Sequence, residues 1–300
     1  MPDVAVLGPG GVGGFVAAAL ERAGSRVTVV AREETAEAIA AGGIDVESAR
    51  LGSMRAKPVA LPELDRDVDV LVVAVKATGL AESLERVQAE PHLVVPMLNG
   101  LDHLDPLRER FGPRAVAATI RIESTRVGPT RIEQTSPFLL VEMATSNPRM
   151  SAAIHSFADT LNEAGIPARV RQHEPDVMWG KLVRLNALAL TTTAHDLPLG
   201  PIRDDPEKRA DLEACMREAA AVAAAEGSEL DASRTMEELD EAHDELDSSM
   251  HRDLQAGREP ELDAIAGSVL RAAARHGLRC PAIERLARSI AERTGAPLRA

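Results

Sequence analysis

Short apolar runs alternate with helical stretches through the first half of the chain. Residues 4–7 (VAVL) are continuously apolar and stop at Gly8, the pattern of a strand buried on both faces. Residues 12–23 then read as a helix ended by Gly24, and residues 26–31 (RVTVVA) form a second β-branched run. A third run spans 67–77 (DVDVLVVAVKA), followed by a predicted helix at 80–88 and a strand at 92–98. Further strands are expected at 116–122 and 137–143, and a helix at 150–164 closed by Gly165. This alternation predicts βαβ units and a mostly parallel sheet. From Pro175 onward there is no convincing strand. Ala/Leu/Glu/Arg-rich helices are expected instead at 178–193, 207–226, 236–255, 261–276 and 283–292, punctuated by Gly227, Gly257, Gly277 and Pro281. The acids that crowd positions 237–247 read as a solvated helix face. The expected fold class is α/β: a doubly wound N-terminal domain over residues 1–170, then an all-helical C-terminal domain over 171–300.

Composition narrows the partners. With 34 Lys+Arg against 47 Asp+Glu the net charge is −13, the wrong sign for a nucleic-acid phosphate backbone. Aromatic residues amount to 2% of the 300 positions, so bases would find almost no stacking platforms. No apolar run approaches the ~20 residues that span a bilayer, and no signal peptide follows Met1. The two cysteines, Cys215 and Cys280, form neither a disulfide framework nor a metal motif. A cytoplasmic, soluble protein is expected, with no nucleic-acid or membrane partner; the assembly state stays open, a homodimer among the options.

The first candidate chemistry lies at residues 8–13, where Gly8-Pro9-Gly10-Gly11-Val12-Gly13 reads G-x-G-x-x-G. Glycines cluster in many turns, but this loop directly follows a strand and opens a helix, the context of a dinucleotide fingerprint. Gly8 would permit the tight turn, Gly10 the approach of a pyrophosphate, and Gly13 close helix–strand packing, with Gly11 and Val12 supplying amides at the helix N-terminus. The first domain is thus read as Rossmann-like. An NAD site places Asp or Glu at the end of the second strand to bind the ribose; this chain has Arg32 there, nineteen residues past Gly13. A guanidinium pairs with a 2′-phosphate, which favours NADP, although Glu33 and Glu34 follow at once.

Five local patterns carry a wider resemblance: GPGGVG at 8–13, VAVKA at 73–77, LNG at 98–100, WGK at 179–181, and SSM at 248–250 followed by PELDAIAG at 260–267. In order and spacing the chain resembles the ketopantoate reductases (2-dehydropantoate 2-reductases), which reduce a 2-oxo acid with NADPH in pantothenate biosynthesis. The resemblance implies Lys181 as catalytic general acid and Glu261 as the helical carboxylate facing it. It also implies that Asn99 and Ser249 hold substrate, and that Lys76 lines the junction of cofactor and substrate. The chemistry fits these residue types, since a hydride arriving at a ketone carbon leaves charge on oxygen that a lysine can stabilise and protonate. Asn99 and Lys76 fall at ends of expected strands, where open α/β sheets bind ligands.

The chain departs from the family at one helix face. Members usually carry asparagines four and eight residues after the catalytic lysine; here those positions are Leu185 and Ala189. Asn186 is adjacent, but at ~100° per residue it points ~140° away from Lys181. Thr192 returns to the lysine face and could supply a hydrogen bond to substrate. His195, Asp196 and His251 match no metal spacing and carry no assignment. The leading expectation is NADPH-dependent reduction of 2-dehydropantoate to (R)-pantoate. The alternatives are a reductase of a different oxo acid or ketone, and a non-catalytic nicotinamide-binding regulator.

Overall fold

In the computed structural model, which describes residues 1–299, the chain forms two compact units: residues 1–98 with 103–177, and residues 99–102 with 178 onward. Residues 99–102, flanked in sequence by the first unit, belong with the helical one, which no single cut along the sequence can express.

The first unit opens with β1 (Asp3–Leu7), buried along its whole length as its apolar run requires. Next come α1 (Gly11–Arg22), β2 (Arg26–Val30), α2 (Glu33–Gly42), β3 (Ile44–Ser48), β4 (Met54–Ala56), β5 (Val59–Leu61) and β6 (Val70–Val73). A 3-10 turn at Ala77–Gly79 and the short α3 (Leu80–Leu84) lead into β7 (Leu93–Pro96). Five parallel strands run in the order β5-β2-β1-β6-β7, so the chain steps to one side of β1 and then crosses to the other. That reversal beside β1 is the switch point at which such sheets open a binding crevice. Register aligns it: Leu7 pairs with Val30 on one side and Val73 on the other, so Gly8, Ala31–Arg32 and Ala74–Lys76 leave the sheet at one edge.

The rest of this unit comprises α4 (Leu104–Phe111), β8 (Ala117–Arg121), β9 (Ser124–Arg126), β10 (Arg131–Gln134), β11 (Leu140–Ala144), α5 (Ser151–Glu163) and β12 (Ala168–Val170). Two further sheets, ordered β4-β3-β10-β9 and β12-β11-β8, mix parallel and antiparallel pairs. Their strands are three to five residues long and often charged, as in IDVES of β3. The strand expected at 67–77 is confined to Val70–Val73, because Ala74 onward turns away toward the sheet edge. Of the helix expected at 80–88, only Leu80–Leu84 forms.

The second unit is helical among the described residues. It holds α6 (Glu174–His195, its first turn counted with the first unit), α7 (Leu199–Asp204), α8 (Pro206–Ala225), α9 (Ala232–Asp240), α10 (Ser249–Gln255), α11 (Ser268–Arg275) and α12 (Pro281–Thr294). Side chains of Trp179, Leu182, Leu190, Leu212, Met216, Leu262, Ile265 and Ile290 share its core. The helix expected over 236–255 is broken between Asp240 and Ser249. Ser248 accepts from the His251 amide and caps a new helix, as a serine in extended conformation does well. The acids from Glu237 to Glu245 are exposed, as a solvated face requires, with Asp240 paired to Arg209 and Asp244 to Arg203, while Asp247, paired with His251, is half-buried. Within the stretch expected as one helix at 261–276, residues Asp263–Gly267 form a π turn that leads into α11. No helix of the described residues is long and apolar enough to cross a membrane.

Candidate active site

At the edge where β1, β2 and β6 end, Gly8 adopts φ +90°, the left-handed region open to glycine, and its amide bonds the Val30 carbonyl at 3.0 Å. A Cβ on Gly13 would collide with the Gly8 carbonyl, and one on Gly11 with the Ser124 carbonyl of β9. Beside Gly10, by contrast, no atom would lie within 4 Å of a Cβ. The first turn of α1 has neither a side-chain cap nor an acidic residue. Open space in front of uncapped amides and a positive dipole end suits a pyrophosphate, so the loop fits a dinucleotide. Ser124, which sequence reasoning missed, donates to the Gly11 carbonyl at 2.8 Å and braces the loop from β9.

Arg32 is the N-cap residue of α2, separated from the end of β2 by Ala31, its side chain 75% exposed and loosely paired with Glu82 at 3.6 Å. Glu33 and Glu34 stand beside it in the first turn of α2, both exposed. Lys76 is exposed at the start of the turn that follows β6.

In the second unit three of the expected residues meet. Lys181, half-buried on α6, donates from Nζ to Asn99 Oδ1 at 2.7 Å. Asn99 Nδ2 donates in turn to Glu261 Oε2 at 3.0 Å. The carboxylate therefore reaches the lysine through an amide instead of directly. That amide has one orientation, because an ammonium can only donate and an ionised carboxylate can only accept. Gly100, at φ +83°, lets the Asn99 segment lie directly on the π turn, where any Cβ would collide with the Ala264 carbonyl.

The remaining expected residues are distributed around this chain of bonds. Ser249 is exposed in the first turn of α10. Thr192, expected to face substrate, is fully buried; its hydroxyl donates to the Leu188 carbonyl and joins Ser248 Oγ, both at 2.8 Å. A helical threonine commonly bonds back to the preceding turn in this way, and the effect here is to anchor the segment before Ser249. Asn186 points away from Lys181, as its spacing requires, and donates to the Ile265 carbonyl inside the π turn at 3.0 Å. Leu185 is half-buried one turn beyond Lys181, and Ala189 is fully buried. His251, unassigned by sequence, is buried between Asp247 and Asp196, each 2.8 Å from a different ring nitrogen. The hydrogen bond from His251 holds the Asp196 carboxyl below the usual carboxylate range. Asp196 carries φ +56° without being glycine, a conformation Asp tolerates better than most residues.

Sequence reasoning also missed a charged bridge behind Asn99 and Glu261. Arg271 donates to Asp102 Oδ2 at 2.6 Å and to Asp263 Oδ1 at 2.9 Å, and Asp263 also accepts from the Arg299 amide at 2.7 Å. Burial alone would raise the Asp263 pKa, but these donors outweigh it and hold the group below its ordinary value. The only sequence signal was the placement of Asp263 two residues after Glu261, and of Asp102 three after Asn99.

The family models for ketopantoate reductase PanE/ApbA and for its C-terminal domain match residues 4–143 and 176–294. A 2-dehydropantoate 2-reductase of Mycobacterium tuberculosis is 30% identical over 296 residues, covering 93% of each chain. Among solved structures, a 2-dehydropantoate 2-reductase from Geobacter metallireducens superposes with TM-score 0.90 at 24% identity, over 97% of this chain and all of that one. D-mandelate dehydrogenase in complex with NADH and anilino(oxo)acetate shares the fold, with TM-score 0.86 at 20% identity over 98% of each chain. With both family models matched over most of its length, the chain belongs to the ketopantoate reductase family and is an NADP-dependent oxidoreductase acting on CH–OH groups.

Proposed function

We propose that the protein reduces a small 2-oxo acid, in the simplest case 2-dehydropantoate to (R)-pantoate, with Lys181 as the general acid. The observation that carries this reading is the hydrogen-bonded chain Lys181–Asn99–Glu261. Bound NADPH supplies the hydride. Lys181 Nζ then meets the negative charge that grows on the carbonyl oxygen and gives it a proton. Asn99 Oδ1 accepts from the ammonium before this step and can still accept an N–H from the amine after it, so the lysine keeps its aim. Glu261 fixes the amide from the other side.

Further roles belong to the same proposal. Gly8, Gly10, Gly11, Val12 and Gly13 bind the pyrophosphate, and Arg32 takes the 2′-phosphate with its exposed guanidinium. Lys76 adds positive charge beside the cofactor, and Ser249 offers an exposed hydroxyl to substrate.

A second reading, a 2-oxo acid with a more apolar side chain, is favoured by one specific observation. Leu185 and Ala189 stand where family members usually carry amides, and the Thr192 hydroxyl is engaged elsewhere. The fold also serves D-mandelate dehydrogenase, so it is not tied to one side chain. The deciding experiment follows NADPH oxidation with a panel of 2-oxo acids that includes ketopantoate and aromatic and aliphatic analogues. Turnover with at least one member supports the proposal. NADPH binding without oxidation by any member would make the protein a nicotinamide-binding regulator.

A further inference from the structure

The Lys181–Asn99–Glu261 chain has a weak point: Asn99 sits on a four-residue segment, 99–102, that belongs to no helix or strand. Its amide must nonetheless meet the Lys181 ammonium on α6 and the Glu261 carboxylate just ahead of the π turn within 3.0 Å. Three features of the second unit converge on that segment from the side of the π turn.

The first is steric. Gly100 lies against the Ala264 carbonyl too closely for any side chain, so the segment rests on the backbone of the turn itself. The second concerns the turn. A π turn widens the helix and disturbs the regular pattern of backbone bonds. Here the Ala264 carbonyl accepts from Ser268 Oγ at 2.6 Å, and the Ile265 carbonyl from the buried Asn186 Nδ2 at 3.0 Å. Side chains therefore hold the distortion that places Ala264 beneath Gly100. The third is electrostatic. From α11, the planar fork of Arg271 bridges Asp102, at the end of the segment, to Asp263, at the start of the π turn. A lysine could not span both carboxylates with fixed geometry.

We propose that the Asp102–Arg271–Asp263 bridge, acting with Gly100 and the Asn186-supported π turn, is a positioning device that holds the Asn99 amide between Lys181 and Glu261. Arg271 touches none of the three; its effect on turnover passes through Asn99. The bridge locks one end of the segment to the π turn that begins two residues after Glu261, so donor and acceptor move together. This inference rests on the proposed roles of Lys181 and Asn99 for its kinetic readout, but its structural readout is independent of them.

The test is a double-mutant cycle combined with hydrogen exchange. Asp102→Asn is the mild variant, because Asp102 is half-exposed and the change keeps its shape; Arg271→Gln is the stronger one. Each single change is expected to lower kcat by ~10-fold or more, the scale of effect of small misplacements, with little change in the affinity for NADPH. In an Asn99→Ala background the same changes should lower kcat by no more than ~2-fold, because in a cycle residues that act through one another are not additive. Backbone amides of 99–102 should exchange faster in Asp102→Asn while those of α8 do not. Full and additive losses in the Asn99→Ala background, or unchanged exchange at 99–102, would overturn the proposal. If Asn99→Ala itself leaves turnover intact, the chemical reading fails, and the exchange rates alone decide whether the bridge holds the segment.

Discussion

In the proposed function, cofactor choice turns on Arg32. Its guanidinium is exposed and only loosely held by Glu82, so a phosphate can displace the contact without leaving a buried charge unpaired. NADPH should bind at least ~10-fold more tightly than NADH, a difference of ~1.4 kcal/mol. Arg32→Asp should erase or invert that preference, and fluorescence titration with both cofactors measures it. In the same proposal Leu185 plays the corresponding part for substrate. A substrate hydroxyl that loses a partner beside Lys181 costs ~1–3 kcal/mol, or ~5- to 150-fold in kcat/KM. Ketopantoate should therefore be a modest substrate, and its deoxy analogue should compete well. A preference for ketopantoate above ~10³-fold would mean the hydroxyl is firmly held after all. Cys280 makes a different kind of prediction. Burial pushes its thiol from 9.0 up to about 11, so the folded chain keeps a proton that the unfolded chain releases. That stability is complete below pH about 9 and is lost as pH rises through about 11, because unfolding then releases the proton. Thermal melts across this range should fall less steeply for Cys280→Ala than for the unmodified protein.

At the level of elements, the features that mattered most were those with the faintest sequence signal. β1, α1, β2 and the glycine loop were legible because a strand buried on both faces is a continuous apolar run and its turn demands glycine. The π turn was not, since PELDAIAG reads as ordinary helix and the wider turn shows only in the fold, where Asn186 bonds the Ile265 carbonyl and Ser268 the Ala264 carbonyl. The break between α9 and α10 was hidden likewise: its acids are exposed, as a solvated helix face would be, and nothing in their pattern marks the stop after Asp240 or the new start at Ser248. Ser248 caps α10 and meets Thr192, so Ser248→Ala should destabilise the second unit by ~1 kcal/mol, the usual cost of an N-cap. Chemical denaturation measures this. An unchanged midpoint would show that α10 is set by packing alone.

Across the whole molecule, the order of the candidate groups along the chain was readable because local patterns carry it: a glycine loop after a strand, a lysine after Trp179-Gly180, a carboxylate after Pro260. What joins them was not. Asn99 and Glu261 are 162 positions apart and Lys181 and Asn99 82, and no periodicity encodes such pairings. The amide standing between lysine and carboxylate emerges only from the fold, and in the proposed function it is what gives the proton donor a fixed aim. Single-turnover oxidation of bound NADPH by a 2-oxo acid, in the unmodified protein and in Lys181→Ala, tests that claim most directly. The account predicts a ~10²- to 10⁴-fold slower step in the variant, the range of general acid catalysis, with NADPH affinity nearly unchanged. A Lys181→Ala protein that binds NADPH and reduces the substrate at close to the normal rate would contradict it.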